Sequence, residues 1–304
     1  MKALVQILGP TGSGKSRMAL EVARALDGEV ISADSVQVYR GFDIGSDKLA
    51  PDLRCGIPHH LIDIIDGCEQ FHAVRFLDLS FAVAEDIRRR GRLPVVCGGT
   101  ALYLRVMMRG IFPERKDGQR REELRREAEE RGWDALRGEL RRIDPDYART
   151  IGANDRVRLL RALEIHRHTG LPPSEVFRLN RSPFADYAFV RVGLLLERRE
   201  LYRRIDARVQ RMLAAGLVAE VRGLRQRLPA DCPPFRALGY KEVLAFLRGE
   251  ADLPTTIELI QRHSRQFAKR QLSWFRQEKD IHWLPAGDEE AVLRHIRRCL
   301  SSAP

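Results

Sequence analysis

Gly9-Pro10-Thr11-Gly12-Ser13-Gly14-Lys15-Ser16 follows the apolar run Ala3–Leu8 and completes the phosphate-loop pattern G-x-x-x-x-G-K-[ST]. Glycines at these positions let successive backbone N–H groups turn toward one anion, while Lys15 places a positive charge near its terminal phosphates. The Ser16 hydroxyl can join a Mg²⁺ shell, and Mg²⁺ is the cofactor that we expect. A helix should begin directly behind the loop, because the apolar residues from Met18 to Leu26 recur with a helical period. The octet therefore predicts that the chain binds a polyphosphate at a helix N-terminus.

The amino-acid composition limits the classes of protein to which this chain can belong. A chain of 304 residues with 44% hydrophobic content can form one large α/β domain and a smaller piece. No apolar run approaches about 18 residues, and the N-terminus leads directly into the first strand. We therefore expect a soluble, cytoplasmic protein that has no membrane partner and acts as a monomer. The five cysteines contain no C-x-x-C pair, which predicts reduced thiols.

The charge balance points to a nucleic-acid partner. The net charge is +11, and arginine dominates, with 46 arginines against seven lysines. Arginine pairs bidentately with phosphate and stacks on bases, so a surplus of this residue suits RNA or DNA. An arginine-rich genome combined with solvated helix faces would give the same composition, and charge alone does not separate the two interpretations.

The pattern along the chain predicts an α/β fold with an insertion. Strand-like runs at 3–8, 29–33 and 93–97 alternate with helical stretches, and another strand returns at 189–196. Residues between them are charged and helical, with turn signals at Asp144-Pro145 and at 170–173. We predict a P-loop NTPase-like parallel sheet flanked by helices. Its discontinuous core domain spans residues 1–112 and 185–304, and an inserted helical domain spans 113–184.

Two polar residues should meet the phosphate loop at one edge of this sheet. Asp34 follows the strand at 29–33, and Thr100 follows the strand at 93–97 through Gly98 and Gly99. Ligands of open parallel sheets collect outside the carboxyl ends of the strands, so both side chains should open onto the crevice that holds the loop. A hydroxyl thus stands where phosphate-loop hydrolases carry an acidic residue, although 61–66 could supply a substitute carboxylate. The alternative is that Asp34 and Thr100 are ordinary turn residues.

Seven blocks of sequence resemble the bacterial tRNA dimethylallyltransferases in order and spacing, across nearly the whole chain. They are GPTGSGKS (9–16), ISADSVQVYRGFDIGSDK (31–48), GIPHHLIDI (56–64), VVCGGTALYL (95–104), NDRVRLLRALEIHRHTG (154–170), RALGYKEV (236–243) and AKRQLSWFR (268–276). The resemblance implies that the loop at 9–16 holds the pyrophosphate of dimethylallyl diphosphate instead of ATP. It further implies that the acceptor is the exocyclic amine of the adenosine just 3′ of the anticodon, in the anticodon arm of tRNA.

The residue types suit that chemistry. An exocyclic adenine amine is a poor nucleophile, and Asp34 could act as the base that takes its proton. The leaving diphosphate needs cations and a hydroxyl on its bridging oxygen, which assigns Lys15 and Thr100 to catalysis. An arginine of the helix at 201–209 could close over the diphosphate, and we favour Arg208 over Arg204. Solvated arginines on a helix surface are the alternative.

The expected tRNA contacts fall into two groups. Residues beside the reaction centre, where the resemblance places the flipped adenosine, are Asp34, Ser35, Val36, Gln37 and Thr100. Residues of the insert that resemble the family's tRNA-contacting segment are Val157, Arg158, Leu159, Leu160 and Arg161. The chain departs from the family at Val157, where Gln is frequent, at Ala101, where Gly is usual, and at Asp47.

A long helix at 254–277 should carry a packing face and a basic face. Ile260, Phe267 and Trp274 recur every seven residues, as do Arg262, Lys269 and Arg276 on another side. Beside a tRNA-modifying motif set, we interpret the basic face as a second RNA-steering surface.

Other functions remain in competition at this point. A nucleotide kinase or an enzyme that prenylates free AMP would use the phosphate loop, and an RNA-binding nucleotide switch would need no catalytic Asp34. The cysteines and histidines at 55–72 could suggest zinc, but their spacing matches no standard ligand pattern. His60 is better interpreted as a loop-packing or phosphate-proximal residue.

Overall fold

A six-stranded, fully parallel sheet forms the centre of the computed structural model, which describes residues 2–112 and 118–302. Its strands are β1 (Lys2–Leu8), β2 (Gly28–Ala33), β3 (His59–His60), β4 (Leu93–Gly98), β5 (Tyr187–Leu195) and β6 (His282–Pro285). They lie in the order β3-β2-β4-β1-β5-β6. The predicted α/β class with a parallel sheet is confirmed, whereas the two short edge strands β3 and β6 were not anticipated.

Thirteen α-helices accompany the sheet in the described part of the chain. They are α1 (Lys15–Ala25), α2 (Ala73–Arg89), α3 (Ala101–Arg109), α4 (Gly118–Arg131), α5 (Trp133–Ile143), α6 (Pro145–Thr150), α7 (Arg156–Thr169), α8 (Pro173–Leu179), α9 (Arg198–Ala214), α10 (Leu217–Arg227), α11 (Tyr240–Leu247), α12 (Leu253–Phe275) and α13 (Glu289–Ser301). Helix α12 matches the predicted long helix closely. Arg262 and Lys269 of α12 and Arg276, which directly follows it, are exposed. On the predicted packing face Ile260 is buried, whereas Phe267 and Trp274 are half-buried.

The central strands are buried on both faces, which explains their uninterrupted apolar sequence. Every residue of β2 and the last five residues of β1 are buried. Val5 of β1 packs with Val22 of α1, Val95 of β4 and Val292 of α13 in one cluster. This packing fixes the edge of the sheet from which the loops after β1, β2 and β4 emerge.

The chain divides into two compact units. The first contains Met1–Arg105 and Asp186–Pro304, and the second contains Val106–Ala185. The second unit has its own apolar core, in which Leu124 of α4, Leu136 of α5 and Leu163 of α7 pack together. Its limits differ from the domain boundaries that we predicted at 113 and 184, because α3 runs across position 106. Residue 113 itself lies outside the described residues.

The cysteines differ from expectation. Cys68 and Cys232 form a disulfide with their Cα atoms 4.7 Å apart, so the prediction of reduced thiols is wrong for this pair. The two residues are 164 positions apart in sequence, and no local spacing pattern could have paired them. Cys55 is exposed, Cys97 is buried and Cys299 is half-buried, all as free thiols.

No helix in the described ranges is both long enough and apolar enough to cross a membrane.

A buried carboxylate near the N-terminal end of β2 accepts hydrogen bonds from neighbouring parts of the chain. Glu29 is fully buried and accepts hydrogen bonds from Arg90, from Arg92 Nη1 at 3.0 Å and from His60 Nε2 at 2.7 Å. The bond from Arg90 is the largest cause that lowers the pKa of the Glu29 carboxyl, which falls from 4.5 to about 2 although burial acts in the opposite direction. His60 is thereby identified as a packing residue on the sheet.

We expect Glu29→Gln to destabilise the protein at neutral pH by about 3 kcal/mol, since a shift of one pKa unit is worth about 1.4 kcal/mol. The folded-state pKa is depressed, so this contribution is complete above the unfolded value of 4.5 and is lost as the pH falls toward 2. Urea unfolding between pH 7 and pH 2 measures it. Glu250→Gln, which removes an exposed ion pair with Arg248, is the control. An unchanged acid dependence in Glu29→Gln would contradict the assignment.

Candidate active site

The phosphate loop connects β1 to α1 through backbone conformations that glycine favours. Gly12 and Gly14 have φ angles of 82° and 84°, in the left-handed region. A Cβ atom added at Gly12 would lie 3.0 Å from Ile205 Cγ1, so α9 packs directly against the loop. Helix α1 has no acidic residue in its first turn. Its N-terminal N–H groups therefore face the cleft without a neutralising carboxylate.

The surroundings of Lys15 in this loop disfavour its charged form. Burial lowers the pKa of its ammonium group from the usual 10.5, and the Arg208 guanidinium lowers it further, while Asp34 and Asp47 act in the opposite direction. The ammonium donates a long hydrogen bond, 3.4 Å, to the carbonyl of Pro10. A bound anion would oppose the downward pKa shift, because it adds negative charge beside the ammonium.

Parallel pairing of β2 with β4 brings Asp34 and Thr100 together, as predicted. Ala33 pairs with Gly98 at the ends of these strands, and the Thr100 N–H donates to the Ala33 carbonyl at 3.3 Å. The Thr100 Oγ1 atom accepts a hydrogen bond from the Ser35 N–H at 3.2 Å. A Cβ atom at Gly98 would lie 2.3 Å from the Ala33 carbonyl oxygen, so only glycine allows this approach.

The Asp34 carboxylate is oriented by its own turn. Its Oδ1 atom accepts the N–H groups of Val36 at 2.8 Å and Gln37 at 3.2 Å. Asp34 is therefore a turn residue, as the alternative interpretation held. Its side chain nevertheless also lines the cleft. The Gln37 amide donates to the carbonyl of Ser46 at 3.2 Å and accepts from Ser32 Oγ at 3.0 Å.

A cleft of about 430 Å³ opens at this edge of the sheet. The predicted residues that line it are Thr11, Lys15, Ser16, Asp34, Ser35, Val36, Gln37, Thr100 and Arg208. The other charged residues in its lining are Asp47, Arg236, Lys241 and Arg270. Five basic side chains thus face two carboxylates, which makes the cleft suited to an anionic ligand.

The structure separates the two candidate arginines of α9. Arg208 donates to Thr11 Oγ1 of the phosphate loop, and its Nε lies 3.1 Å from Asp47 Oδ2. Arg204 instead pairs with Glu200 at 2.6 Å and does not line the cleft. The carboxylates at 61–66 are likewise engaged elsewhere, since Asp63 pairs with Lys48 and Asp66 pairs with Arg40.

Sequence reasoning missed Gln271, although it lies within the AKRQLSWFR block. This buried amide of α12 accepts the Thr11 N–H at 2.9 Å and donates to the Gly99 carbonyl at 2.8 Å. It therefore joins the phosphate loop to the loop that carries Thr100. Its position four residues after Phe267 places both side chains on one helix face, and this spacing could have predicted that Gln271 points the same way as Phe267.

Metal binding at the cleft would depend on few protein ligands. Burial raises the pKa of the Cys97 thiol, which is hydrogen-bonded to Ser16, to about 11, so no thiolate replaces the missing acidic residue of β4. Across residues 2–112 and 118–302, no group of three or more His, Cys, Asp or Glu side chains is arranged to hold a metal ion. The donor set fits Mg²⁺ only as one Ser16 hydroxyl completed by ligand oxygens and water.

Of the residues in the second unit that we predicted to contact tRNA, some are exposed and others are buried. On α7, Val157 is 64% exposed and Arg158 is exposed, but Leu159 and Leu160 are buried in the core of the unit. This corrects the prediction for the two leucines, whose side chains have no surface to offer an RNA. Arg161 donates to the buried Glu164 at 3.2 Å, which gives it a structural role.

Comparisons with known proteins identify the family. The sequence profile described as IPP transferase matches residues 37–278, and the one described as isopentenyl transferase matches residues 2–53. The tRNA dimethylallyltransferase 1 of Trichlorobacter lovleyi is 48% identical over 291 residues, which cover 94% of this chain and 95% of that protein. The tRNA dimethylallyltransferase of Geobacillus thermodenitrificans is 42% identical over 292 residues, covering 94% and 91% respectively.

Solved structures agree with the sequence matches. The full-length tRNA isopentenylpyrophosphate transferase of Bacillus halodurans superimposes with a TM-score of 0.75 at 38% identity, over 99% of this chain and 97% of that one. A eukaryotic dimethylallyltransferase acting on tRNA gives a TM-score of 0.84 at 31% identity, over 100% and 81%. With its fold and nearly its whole length matched, the chain belongs to the IPP transferase family, together with the tRNA dimethylallyltransferases.

Proposed function

We propose that the chain transfers the dimethylallyl group from dimethylallyl diphosphate to the exocyclic amine of the adenosine just 3′ of the anticodon in tRNA. The bond from the allylic carbon to the bridging oxygen breaks, a carbon–nitrogen bond forms, and diphosphate and one proton leave. One observation carries the proposal. A carboxylate, Asp34, and a hydroxyl, Thr100, meet the cations Lys15 and Arg208 in a single cleft.

The diphosphate would lie on the phosphate loop. Lys15 and the N-terminal N–H groups of α1 supply positive charge on one side, and Arg208 supplies it from α9. Departure of the diphosphate concentrates negative charge on its oxygens, and preorganised donors stabilise that charge most in the transition state. The Thr100 hydroxyl would then donate to the bridging oxygen, since among residues 2–112 and 118–302 its Oγ1 only accepts, from the Ser35 N–H.

Asp34 would remove the amine proton. The side chain lines the cleft, and the turn that holds Oδ1 leaves Oδ2 without a hydrogen bond to the described residues. A positioned base of this kind contributes about 10²- to 10⁴-fold in rate. When bound, Mg²⁺ would neutralise diphosphate charge, with Ser16 as its protein ligand.

The tRNA contacts would come from both units. Beside Asp34, the residues Ser35, Val36 and Gln37 line the cleft, and the Gln37 amide could exchange its bonds to the protein backbone for a base edge. On the second unit, Val157 and Arg158 offer exposed surface. We further propose that a monomer binds the anticodon arm.

Asp34→Asn should lower single-turnover rates on saturating tRNA by about 10² to 10⁴, because only proton removal is lost. The amide oxygen of Asn can still accept the N–H groups of Val36 and Gln37, so the fold and tRNA affinity should persist. Asp66→Asn, which alters an exposed ion pair outside the cleft, is the matched control. A loss smaller than about tenfold would remove Asp34 from the role of base.

Lys15→Ala should weaken binding of dimethylallyl diphosphate and slow turnover together, while tRNA affinity stays within a few-fold. Calorimetry with the donor and filter binding with tRNA separate the two effects, and Lys279→Ala provides an exposed lysine as control. By the same argument ATP should be a poor ligand. Efficient ATP-dependent phosphorylation of any nucleoside by the pure protein would favour the kinase instead.

Arg158→Ala should weaken tRNA binding and make the salt dependence of log K shallower by roughly 0.7 to 0.9, the loss of one phosphate contact. Lys269→Ala, on the exposed face of α12, should have a smaller effect of the same kind. Arg161→Ala should instead lower the melting temperature, because it leaves the buried Glu164 without this partner. Titrations at several salt concentrations, with thermal melts, test this assignment. Unchanged affinity and slope for the Arg158→Ala/Arg161→Ala double variant would place tRNA recognition in the cleft alone.

A further inference from the structure

Asp47 places a negative charge against the arginine that faces the phosphate loop. It lies on the turn Gly45–Lys48, and its Oδ2 atom is 3.1 Å from Arg208 Nε. That Nε is buried and has no hydrogen-bond partner of acceptable geometry among the described residues. The two groups therefore attract one another as charges, without an aligned hydrogen bond to hold them together.

The surroundings show what this carboxylate competes with. Arg208 also donates to Thr11 Oγ1 of the phosphate loop. The Arg208 and Asp47 charges act in opposite directions on the pKa of the Lys15 ammonium, so both lie within its electrostatic reach. A phosphate oxygen that contacts Lys15 and Arg208 would enter the same field as the Asp47 carboxylate. Like charges repel there, so the Asp47 carboxylate opposes the approach of a phosphate oxygen to Arg208.

We infer that Asp47 is an internal counter-ion of Arg208 that competes with the diphosphate for this arginine. The inference rests on the proposed function, in which the diphosphate occupies the phosphate loop. Asp47 would thus weaken binding of both the donor and the released diphosphate, and it would favour product release. Its side chain is 58% exposed, so the displaced carboxylate can move into water at little cost.

The backbone at Asp47 determines which variants test this inference. Its φ angle is 56°, in the left-handed region, which Asn and Gly tolerate better than other residues. Its carbonyl oxygen accepts the Gln37 amide at 3.4 Å. Asp47→Asn and Asp47→Gly therefore remove the charge while they preserve the turn and the contact with Gln37.

The experiment measures binding of inorganic pyrophosphate with Mg²⁺ to the full chain by calorimetry. Asp47→Asn and Asp47→Gly should each bind about three- to thirty-fold more tightly than the wild type, as expected for loss of one nearby, partly screened charge. Inhibition of the transferase by pyrophosphate should strengthen in parallel. Glu250→Gln, which removes the exposed ion pair of Arg248 outside the cleft, should change neither quantity.

A double-variant cycle distinguishes competition from positioning. In the Arg208→Ala background, Asp47→Asn should give a smaller gain, because the shared partner is gone. Unchanged or weaker pyrophosphate binding by Asp47→Asn in the native background would overturn the inference, since it would mean that Asp47 holds Arg208 in place. Failure of the wild-type protein to bind pyrophosphate at all would overturn the proposed function itself, and this inference with it.

Discussion

Parallel pairing between β2 and β4 is the constraint on which the candidate site depends. The two strands end level with one another, and the contact between Ala33 and Gly98 is too close for any side chain at position 98. A shift of register by one residue would reverse the faces of a strand and separate Asp34 from Thr100. The buried core beside the strands makes such a shift costly, because Val30 and Val95 would leave the cluster in which they pack. The geometry of the candidate site is thus secured by packing as well as by the loops themselves.

The sequence predicted the site best where function and fold share a local pattern. The phosphate loop, the strands around it and the positions of Asp34 and Thr100 follow from patterns of a few residues, and the structure brings them together. Arg208 and Arg204 lie one helical turn apart and look equivalent in sequence. Only the structure shows that Arg208 lines the cleft and donates to Thr11, whereas Arg204 pairs with Glu200.

Features that depend on distant contacts escaped prediction. In the sequence, Gln271 is one polar residue of a helix. Its hydrogen bonds to the loops at Thr11 and Gly99 form only because α12 packs beside them, although both loops precede it by more than 170 residues. The disulfide between Cys68 and Cys232 likewise joins two residues that are distant in the sequence. On α7, the sequence marked a continuous segment, whereas helical geometry turns Leu159 and Leu160 inward and Val157 outward. A resemblance between blocks cannot distinguish the two faces of a helix.

The hydrogen bond from Thr11 to Gln271 also bears on how the protein is made. The bond joins the loop to a helix near the end of the chain, and the cleft beside the loop is lined by other residues that come much later in the chain, among them Arg208, Arg236 and Arg270. Chains emerge from the ribosome N-terminus first. The phosphate loop is therefore synthesised long before its partners, and a nascent chain that stops before α12 still lacks Arg270 and Gln271. The lining of the cleft is thus complete only when translation is nearly finished.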